Sequence, residues 1–298
     1  MLKYKKGGDS LKKYYGIILL VFIMLFCLCF FACGEDAPPV GAPQEAPKEE
    51  IIPTACADIL KIGKADCIVI NTGSHVLMID TGESENLPRI HAYMQEKGYE
   101  RIDALIITHY DKDHIGGAEE ILERYDVKAV FESSFTESSA EYVQYHEVAG
   151  EKGIEIKKLS ENARLELDGN VIDILVPQMK KYSTEKDNNI SLIVSVKCGE
   201  NKLLFCGDAL ELRMAELVYD KVGHYDLVKL PHHGSYLENY PMVLEELTPT
   251  YCAITCSGKN PADDKTLSLL QDMGAEVYQT SNGIISVSVG AGGIDINQ

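Results

Sequence analysis

The stretch Ile106-Ile107-Thr108-His109-Tyr110-Asp111-Lys112-Asp113-His114-Ile115-Gly116-Gly117 constrains this chain more than any other. Residues 102–107 read as a buried apolar strand. Directly after it come His109, Asp111, Asp113 and His114, all of them side chains that bind cations. On an extended backbone His109, Asp111 and Asp113 alternate to one side, and His114 falls on the other. So many ionisable groups beside a buried strand are costly without a partner cation. The pattern calls for a sheet whose strand ends present two facing groups of ligands to two adjacent metal ions.

The surrounding sequence supplies such a sheet. Residues 57–62, 66–71 and 76–80 are short runs rich in Ile, Val and Leu, broken by Gly63 and Thr72-Gly73-Ser74, and read as antiparallel strands. Residues 87–96 have helical spacing, with Leu87, Ile90, Tyr93 and Met94 on one face. Helices are predicted over 117–125 and 139–152, with a strand at 127–131 between them. Residues 154–177 hold several short strands and a turn at Asp168-Gly169-Asn170. A second hairpin, 190–198 and 202–208, echoes the first, and both end in an aspartate next to glycine. Strands alternating with helices, in two related halves, predict an α/β protein with two sheets face to face and helices outside. Further strands are expected at 225–230, 251–255, 276–279 and 284–289, and helices at 240–247 and 265–273. Gly290-Ala291-Gly292-Gly293 reads as the start of a flexible tail.

Two more positions place ligand-type residues after apolar strands, Asp208 and the His232-His233 pair. Taken singly, Asp208 is as well explained as a helix N-cap and the histidine pair as a polar turn. Of nine cysteines, six lie beyond the leader and none forms a CxxC pair. They read as small buried hydrophobes rather than a zinc knuckle or a disulfide framework, with a Cys198–Cys206 bridge as the minor alternative.

Residues 1–33 follow a targeting grammar, with a lysine-rich start, an apolar run and Ala32-Cys33-Gly34. They read either as a lipoprotein-type leader ending at Cys33 or as an uncleaved anchoring helix. Both tether the protein to a membrane and place it outside the cytoplasm. Residues 34–55, rich in proline and acid, form a solvated linker, and residues 56–298 form the folded domain. The net charge is −18, and the leader is basic, so the folded part is more acidic still. That field opposes strong binding of long nucleic acids, whose affinity rests on lysine and arginine.

Together these residues resemble the metallo-β-lactamase fold superfamily, whose HxHxDH signature reads here His109-x-Asp111-x-Asp113-His114. The chain is most similar to the branch containing the hydrolase domain of the competence protein ComEC, in which aspartate commonly replaces the second histidine. Further matches are Lys64-Ala65-Asp66, Ile79-Asp80-Thr81-Gly82, Asn188-Asn189-x-Ser191-Leu192, Phe205-Cys206-Gly207-Asp208, Leu230-x-His232-His233-Gly234-Ser235 and Ser257-Gly258-Lys259-Asn260. The resemblance implies a four-layer αββα sandwich and two divalent metal ions, zinc or manganese. It implies that His109 and Asp111 bind the first metal, Asp113 and His114 the second, and that Asp208 bridges them. His233 is favoured over His232 to complete the second site. The first metal lacks the further histidine usual in the superfamily, since the corresponding loop offers Asn188 and Asn189. His146 reads as a surface residue of a helix, and the Gly-His-Pro frequent in this branch is replaced by Pro261-Ala262-Asp263.

Carboxylate ligands harden such a site, and a metal pair roughly 3.5–4 Å apart suits in-line phosphoryl displacement. The expectation is a metal-dependent hydrolase acting on phosphodiester substrates such as nucleotides, short nucleic acid or wall-polymer phosphodiesters. Asp113 would orient the nucleophile, and His232 and Ser235 would contact phosphoryl oxygens. The alternative is a non-catalytic or single-metal lipoprotein that keeps the fold as a binding module.

Overall fold

Short β-branched runs broken by glycine become strands, and their alternating side chains decide what each sheet faces. The computed structural model describes residues 54–180, 182 and 188–298; the leader and nearly all of the linker, with the anchor and lipidation expectations, lie outside the described residues. β1 (Ala55–Ile59), β2 (Ile68–Asn71) and β3 (Val76–Ile79) form an antiparallel meander in which Ile68 lies between Ile59 and Ile79. β3 then runs parallel to β4 (Ala104–Ile106), followed by β5 (Ala129–Ser133) and β6 (Glu155–Leu159).

The same succession recurs. β7 (Ala163–Leu167), β8 (Asn170–Leu175), β9 (Ile193–Cys198) and β10 (Asn201–Phe205) are antiparallel. From β10 the order continues in parallel through β11 (Leu227–Lys229), β12 (Tyr251–Ile254) and β13 (Glu276–Gln279). β14 (Ile285–Gly290) returns to pair with β1, and β15 (Gly293–Asn297) pairs with β14. The result is an eight-stranded sheet, β15-β14-β1-β2-β3-β4-β5-β6, and a seven-stranded sheet, β13-β12-β11-β10-β9-β8-β7. The two related halves read in the sequence are these two antiparallel-then-parallel successions.

The helices are α1 (Leu87–Lys97), the single turn α2 (Lys112–Ile115), α3 (Ala118–Arg124), α4 (Ala140–Lys152), α5 (Glu211–Asp220), α6 (Tyr240–Leu247) and α7 (Asp264–Asp272). Three apolar layers separate the sheets and helices. Ile70, Leu77 and Ile79 of the first sheet meet Val194, Val196 and Leu203 of the second. The alternate residues Val69, Met78 and Leu105 pack beneath Ile90 and Met94 of α1 and Ile121 of α3. On the opposite side Leu204, Val228 and Cys252 pack beneath Met214, Leu217 and Leu244. Each such buried aliphatic side chain contributes about 1.5–3 kcal/mol. The architecture is therefore αββα, and the expected face of α1 is buried, with His91 added to it.

Two sheet turns are tied together at one point. The Asp168 carboxylate, between β7 and β8, accepts hydrogen bonds from Thr72 Oγ1 at 2.8 Å, Ser74 N–H at 2.9 Å and Ser74 Oγ at 2.5 Å, all from the turn between β2 and β3. His75 Nδ1 lies 3.0 Å from the same carboxylate.

The sequence expectations need three corrections here. Residues 290–293 are a hairpin turn and not the start of a tail, because Ile294 and Ile296 half-bury against the inter-sheet core as β15 continues the sheet. All six cysteines of the described part are free, so no Cys198–Cys206 bridge forms, and Cys56 is exposed rather than buried. The extended backbone expected through His114 ends at Asp111, which is itself extended and caps the helical turn α2 that begins at Lys112, while strand pairing has already ended at Ile106. Among the described residues no helix is long and apolar enough to cross a membrane.

Candidate metal centre

The parallel strands of both sheets deliver their C-terminal ends to one edge, the place where open α/β sheets gather ligands. β3 leads into Asp80, β4 leads into Thr108 and His109, β10 leads into Gly207-Asp208, and β11 leads into His232-His233. Ring stacking shows the effect of the turn at Asp111: the His109 and His114 rings lie 4.1 Å apart instead of on opposite sides of a strand. The His233 ring lies 5.6 Å from His114.

Contacts among these groups are close. His114 Nε2 is 3.3 Å from Asp208 Oδ1, and His233 Nε2 is 3.1 Å from Asp208 Oδ2 and 3.3 Å from Asp113 Oδ2. His109 Nε2 is 3.6 Å from Asp111 Oδ2. Among the described residues three trios each bring one possible ligand atom per residue within reach of one ion: His109 with His114 and Asp208, Asp113 with His114 and His233, and Asp66 with Asp80 and His114. Apart from these contacts with one another, His109 Nε2, His114 Nε2, His233 Nε2 and Asp208 Oδ1 are buried with no hydrogen-bond partner among the described residues. Burying four such atoms together is expensive, and a divalent cation is the partner that suits all of them. The residues present fit a metal.

Charge points the same way. Five carboxylates, Asp66, Asp80, Asp111, Asp113 and Asp208, crowd the edge, and among the described residues only Lys64 and Lys229 pair with them as permanent cations there. Burial would raise the Asp208 carboxyl and lower the His114 imidazole, but mutual attraction overrides it, holding Asp208 well below and His114 well above their ordinary values. His233 is raised in the same way, against its burial, by Asp208 and Asp113, and Asp113 is lowered, against its burial, by His233 and His114. Without a metal the centre thus recruits protons as its positive charge.

A supporting shell fixes the ligands. Asp80 is fully buried and accepts from Thr108 N–H at 2.8 Å and Thr108 Oγ1 at 2.7 Å, while its Oδ2 lies 2.7 Å from His114 Nδ1. A carboxylate only accepts, so His114 donates its Nδ1 proton to Asp80 and faces Asp208 with Nε2, the nitrogen that would offer a lone pair once a metal displaced its proton. His233 Nδ1 is 3.1 Å from Thr255 Oγ1 and 3.6 Å from Asp66 Oδ1. Asp66 forms an ion pair with the fully buried Lys229, which also donates to Gly207 O at 3.3 Å. Both His232 (φ 49°) and His233 (φ 56°) hold left-handed backbone, a strained conformation that persists when the surroundings enforce it. Gly207 is pressed against Thr108: a Cβ there would lie 2.9 Å from the threonine Cβ.

The site is unequal. Asp113 is 15% exposed at its side chain and Asp111 42%, so the trio around His233 is enclosed while Asp111 looks outward. Asn189, in the loop where a further histidine was sought, is buried with its Oδ1 accepting from Arg213 N–H at 3.1 Å, and so serves α5. His146 is not a plain surface residue, since its Nε2 lies 3.0 Å from the buried Glu132 carboxylate and its ring sits beside Tyr142 and Tyr145. His232 and Ser235 lie half-buried beside the cluster, and neither side chain forms a hydrogen bond among the described residues. Burial, chiefly, lowers the His232 imidazole.

Sequence reading assigned no role to Asp66, Asp80, Thr108, Lys229 or Thr255. A lysine inside the apolar run 225–230 was the clearest signal available, since a charge there needs a buried partner.

Residues 61–249 match the metallo-beta-lactamase superfamily, and the chain belongs to it. Within that family it is ComEC-like. It is 30% identical over 200 residues to ComE operon protein 3 of Bacillus subtilis, covering 65% of this chain and 25% of that protein. It is 26% identical over 221 residues to Recombination protein 2 of Haemophilus influenzae, covering 70% and 25%. The chain thus spans about a quarter of the length of these relatives. Among solved structures, the metallo-beta-lactamase fold protein YhfI from Bacillus subtilis superposes with a TM-score of 0.57 at 12% identity, over 79% of this chain and 99% of that one. That likeness concerns the fold.

Proposed function

We propose that this chain is a metal-dependent phosphodiesterase that takes nucleotides, short nucleic acid or wall-polymer phosphodiesters. The observation that carries the reading is the set of four buried ligand atoms, on His109, His114, Asp208 and His233, with no hydrogen-bond partner beyond the cluster among the described residues, amid an excess of carboxylates. In this reading Asp113, His114 and His233 would hold one divalent ion, His109 and Asp111 would hold the other, and Asp208 would contribute to both. Zinc or manganese suits this mixed imidazole and carboxylate set. When bound, the ions supply Lewis acidity and neutralise the charge that grows on phosphoryl oxygens. Asp80 keeps His114 in its metal-accepting tautomer, and Thr255 orients His233. Asp113 positions the attacking water, and His232 and Ser235 hold phosphoryl oxygens. The acidic chain disfavours long nucleic acids.

The test is metal analysis followed by hydrolysis of bis-p-nitrophenyl phosphate with manganese or zinc. Turnover abolished by Asp208→Asn and by His109→Ala is the expected result. Protein carrying both ions that turns over no phosphodiester or phosphomonoester refutes the assignment. The outward-facing Asp111 and the engaged Asn189 favour one second reading, a single-metal binding module. It requires at most one equivalent of metal and no turnover.

The membrane tether belongs to the same proposal. Radiolabelled lipid incorporated into the chain and lost on Cys33→Ala distinguishes a lipid anchor from a helix.

A further inference from the structure

One cavity beside the metal centre has a chemistry that runs against the rest of the chain. It encloses about 640 Å³ and joins the two halves of the fold: Gly63, Lys64, Asn86 and Arg89 come from the first half, and the turn 257–260 from the second. Three cations, Lys64, Arg89 and Lys259, line it against two carboxylates, Glu83 and Glu85, in a protein whose net charge is −18. Lys64 also touches the centre, with its Nζ 3.3 Å from Asp113 Oδ2. The next contact is through the backbone, where Asp66 N–H donates to Asp113 O at 3.1 Å. The cavity therefore begins one side chain away from a proposed metal ligand.

Arg89 and Lys259 form no ion pair or side-chain hydrogen bond among the described residues, and both are exposed. Their supports are nevertheless built. Ser257 N–H donates to Asn260 O at 2.9 Å and Asn260 N–H to Ser257 Oγ at 3.1 Å, a tight turn with Lys259 near its tip. Asn86 binds Ile62 O at 2.9 Å and accepts from Glu83 N–H at 2.9 Å, fixing the opposite wall from which Arg89 rises on α1. A Cβ added at Gly63 or Gly258 meets nothing within 4 Å, so open space separates the walls. A cavity of similar size, about 660 Å³, is lined by His91, Tyr99, Arg101 and Arg124; no candidate ligand lines either cavity, and what singles out the first is not size but Lys64, which contacts Asp113.

We infer that this cavity is an anion subsite, in which Arg89 and Lys259 take a second phosphate of a substrate whose scissile phosphodiester lies at the metal centre. The inference rests on the phosphodiesterase reading and narrows it to substrates that carry more than one phosphate. Guanidinium and ammonium groups are the side chains that bind phosphate oxygens. Lys64, held by Asp113, marks the boundary between the two sites.

The test uses the full metal-loaded protein and two matched pairs of diesters: a dithymidine phosphodiester with and without a 5′-terminal phosphate, and a bis-glycerol phosphodiester with and without a further phosphomonoester on a terminal glycerol hydroxyl. In wild type the extra phosphate lowers KM by about five-fold for each cation engaged. Lys259→Glu and Arg89→Ala each reduce that preference while leaving kcat/KM for the partner without the extra phosphate unchanged. Both residues are exposed, so folding is preserved. The pair that shows the preference tells a nucleotide source of the phosphate from a wall-polymer one. Calorimetric binding of the same four compounds separates the two readings. A binding preference without turnover sinks the phosphodiesterase and keeps the subsite; turnover with no preference in either pair, or variants that weaken both members equally, overturns the subsite.

Discussion

Lys229 offers the sharpest test of how the centre is held. Its ammonium is fully buried on β11, paired with the equally buried Asp66, and its one other hydrogen bond is to Gly207 O at 3.3 Å. Burial lowers the Lys229 ammonium and raises the Asp66 carboxyl, yet each is shifted the opposite way by the other, so both stay charged. Lys229→Met removes one charge and strands the other, which costs about 3–5 kcal/mol. At about 2–4 °C per kcal/mol for a domain of this size, the melting temperature falls by roughly 6–20 °C. The double variant Asp66→Asn with Lys229→Met leaves no uncompensated charge, so it regains part of the loss rather than adding a second one. Thermal and urea unfolding of the metal-free protein measure all three variants without reference to activity. A cost for Lys229→Met within about 0.5 kcal/mol, the range of an ordinary surface change, refutes the argument. So does a double variant whose loss equals the sum of the single ones.

Asp80→Asn replaces a pure acceptor with a group that donates at one of its atoms, which frees the His114 tautomer. Metal affinity should fall about 10–100-fold while circular dichroism keeps the wild-type shape, and a calorimetric metal titration reads the loss. Asp168 should make stability depend on acid. Hydrogen bonds from Ser74, then His75 and Thr72, hold its carboxyl well below the usual range. A lowered folded value means the stabilisation is complete above the unfolded value of about 3.9 and is lost as pH falls below it. Wild type should therefore exceed Asp168→Ala in urea midpoint at pH 7, and the gap should narrow by pH 2.5; a gap unchanged with pH sinks this account.

Much of the fold was legible because its signals are local. Glycine and Asx turns punctuate the strands, and the apolar face at Leu87, Ile90, Tyr93 and Met94 follows from helical spacing alone. The two hairpins, one ending in Asp80-Thr81-Gly82 and the other in Gly207-Asp208, make the duplication legible in the sequence. Misreadings arose where one local signal has two outcomes. The glycines at 290–293 suit a tail or a turn, and the alternation of Ile294 and Ile296 beyond them was the cue for a strand. Asp111 suits an extended alternation or a helix start, and only packing chose the latter. At the site, the candidate ligands could be named from the motifs, whereas the outward turn of Asp111 and the engagement of Asn189 with Arg213 were not legible there. Lys229 and Asp66, 163 positions apart by numbering, had no local signature as a pair.

Thr108 has a mechanical consequence for the whole centre. It is hydrogen-bonded to Asp80 on one side, and on the other its side chain fills the space where a Cβ on Gly207 would sit. The threonine therefore works as a shim between two jaws, one bearing His109 and His114 and the other bearing Asp208. Its thickness sets the gauge of the gap, and the bare backbone at Gly207 is what lets the jaws close to it. Tuning this candidate centre to a larger or smaller cation would begin with that gasket and not with the residues that would hold the ion.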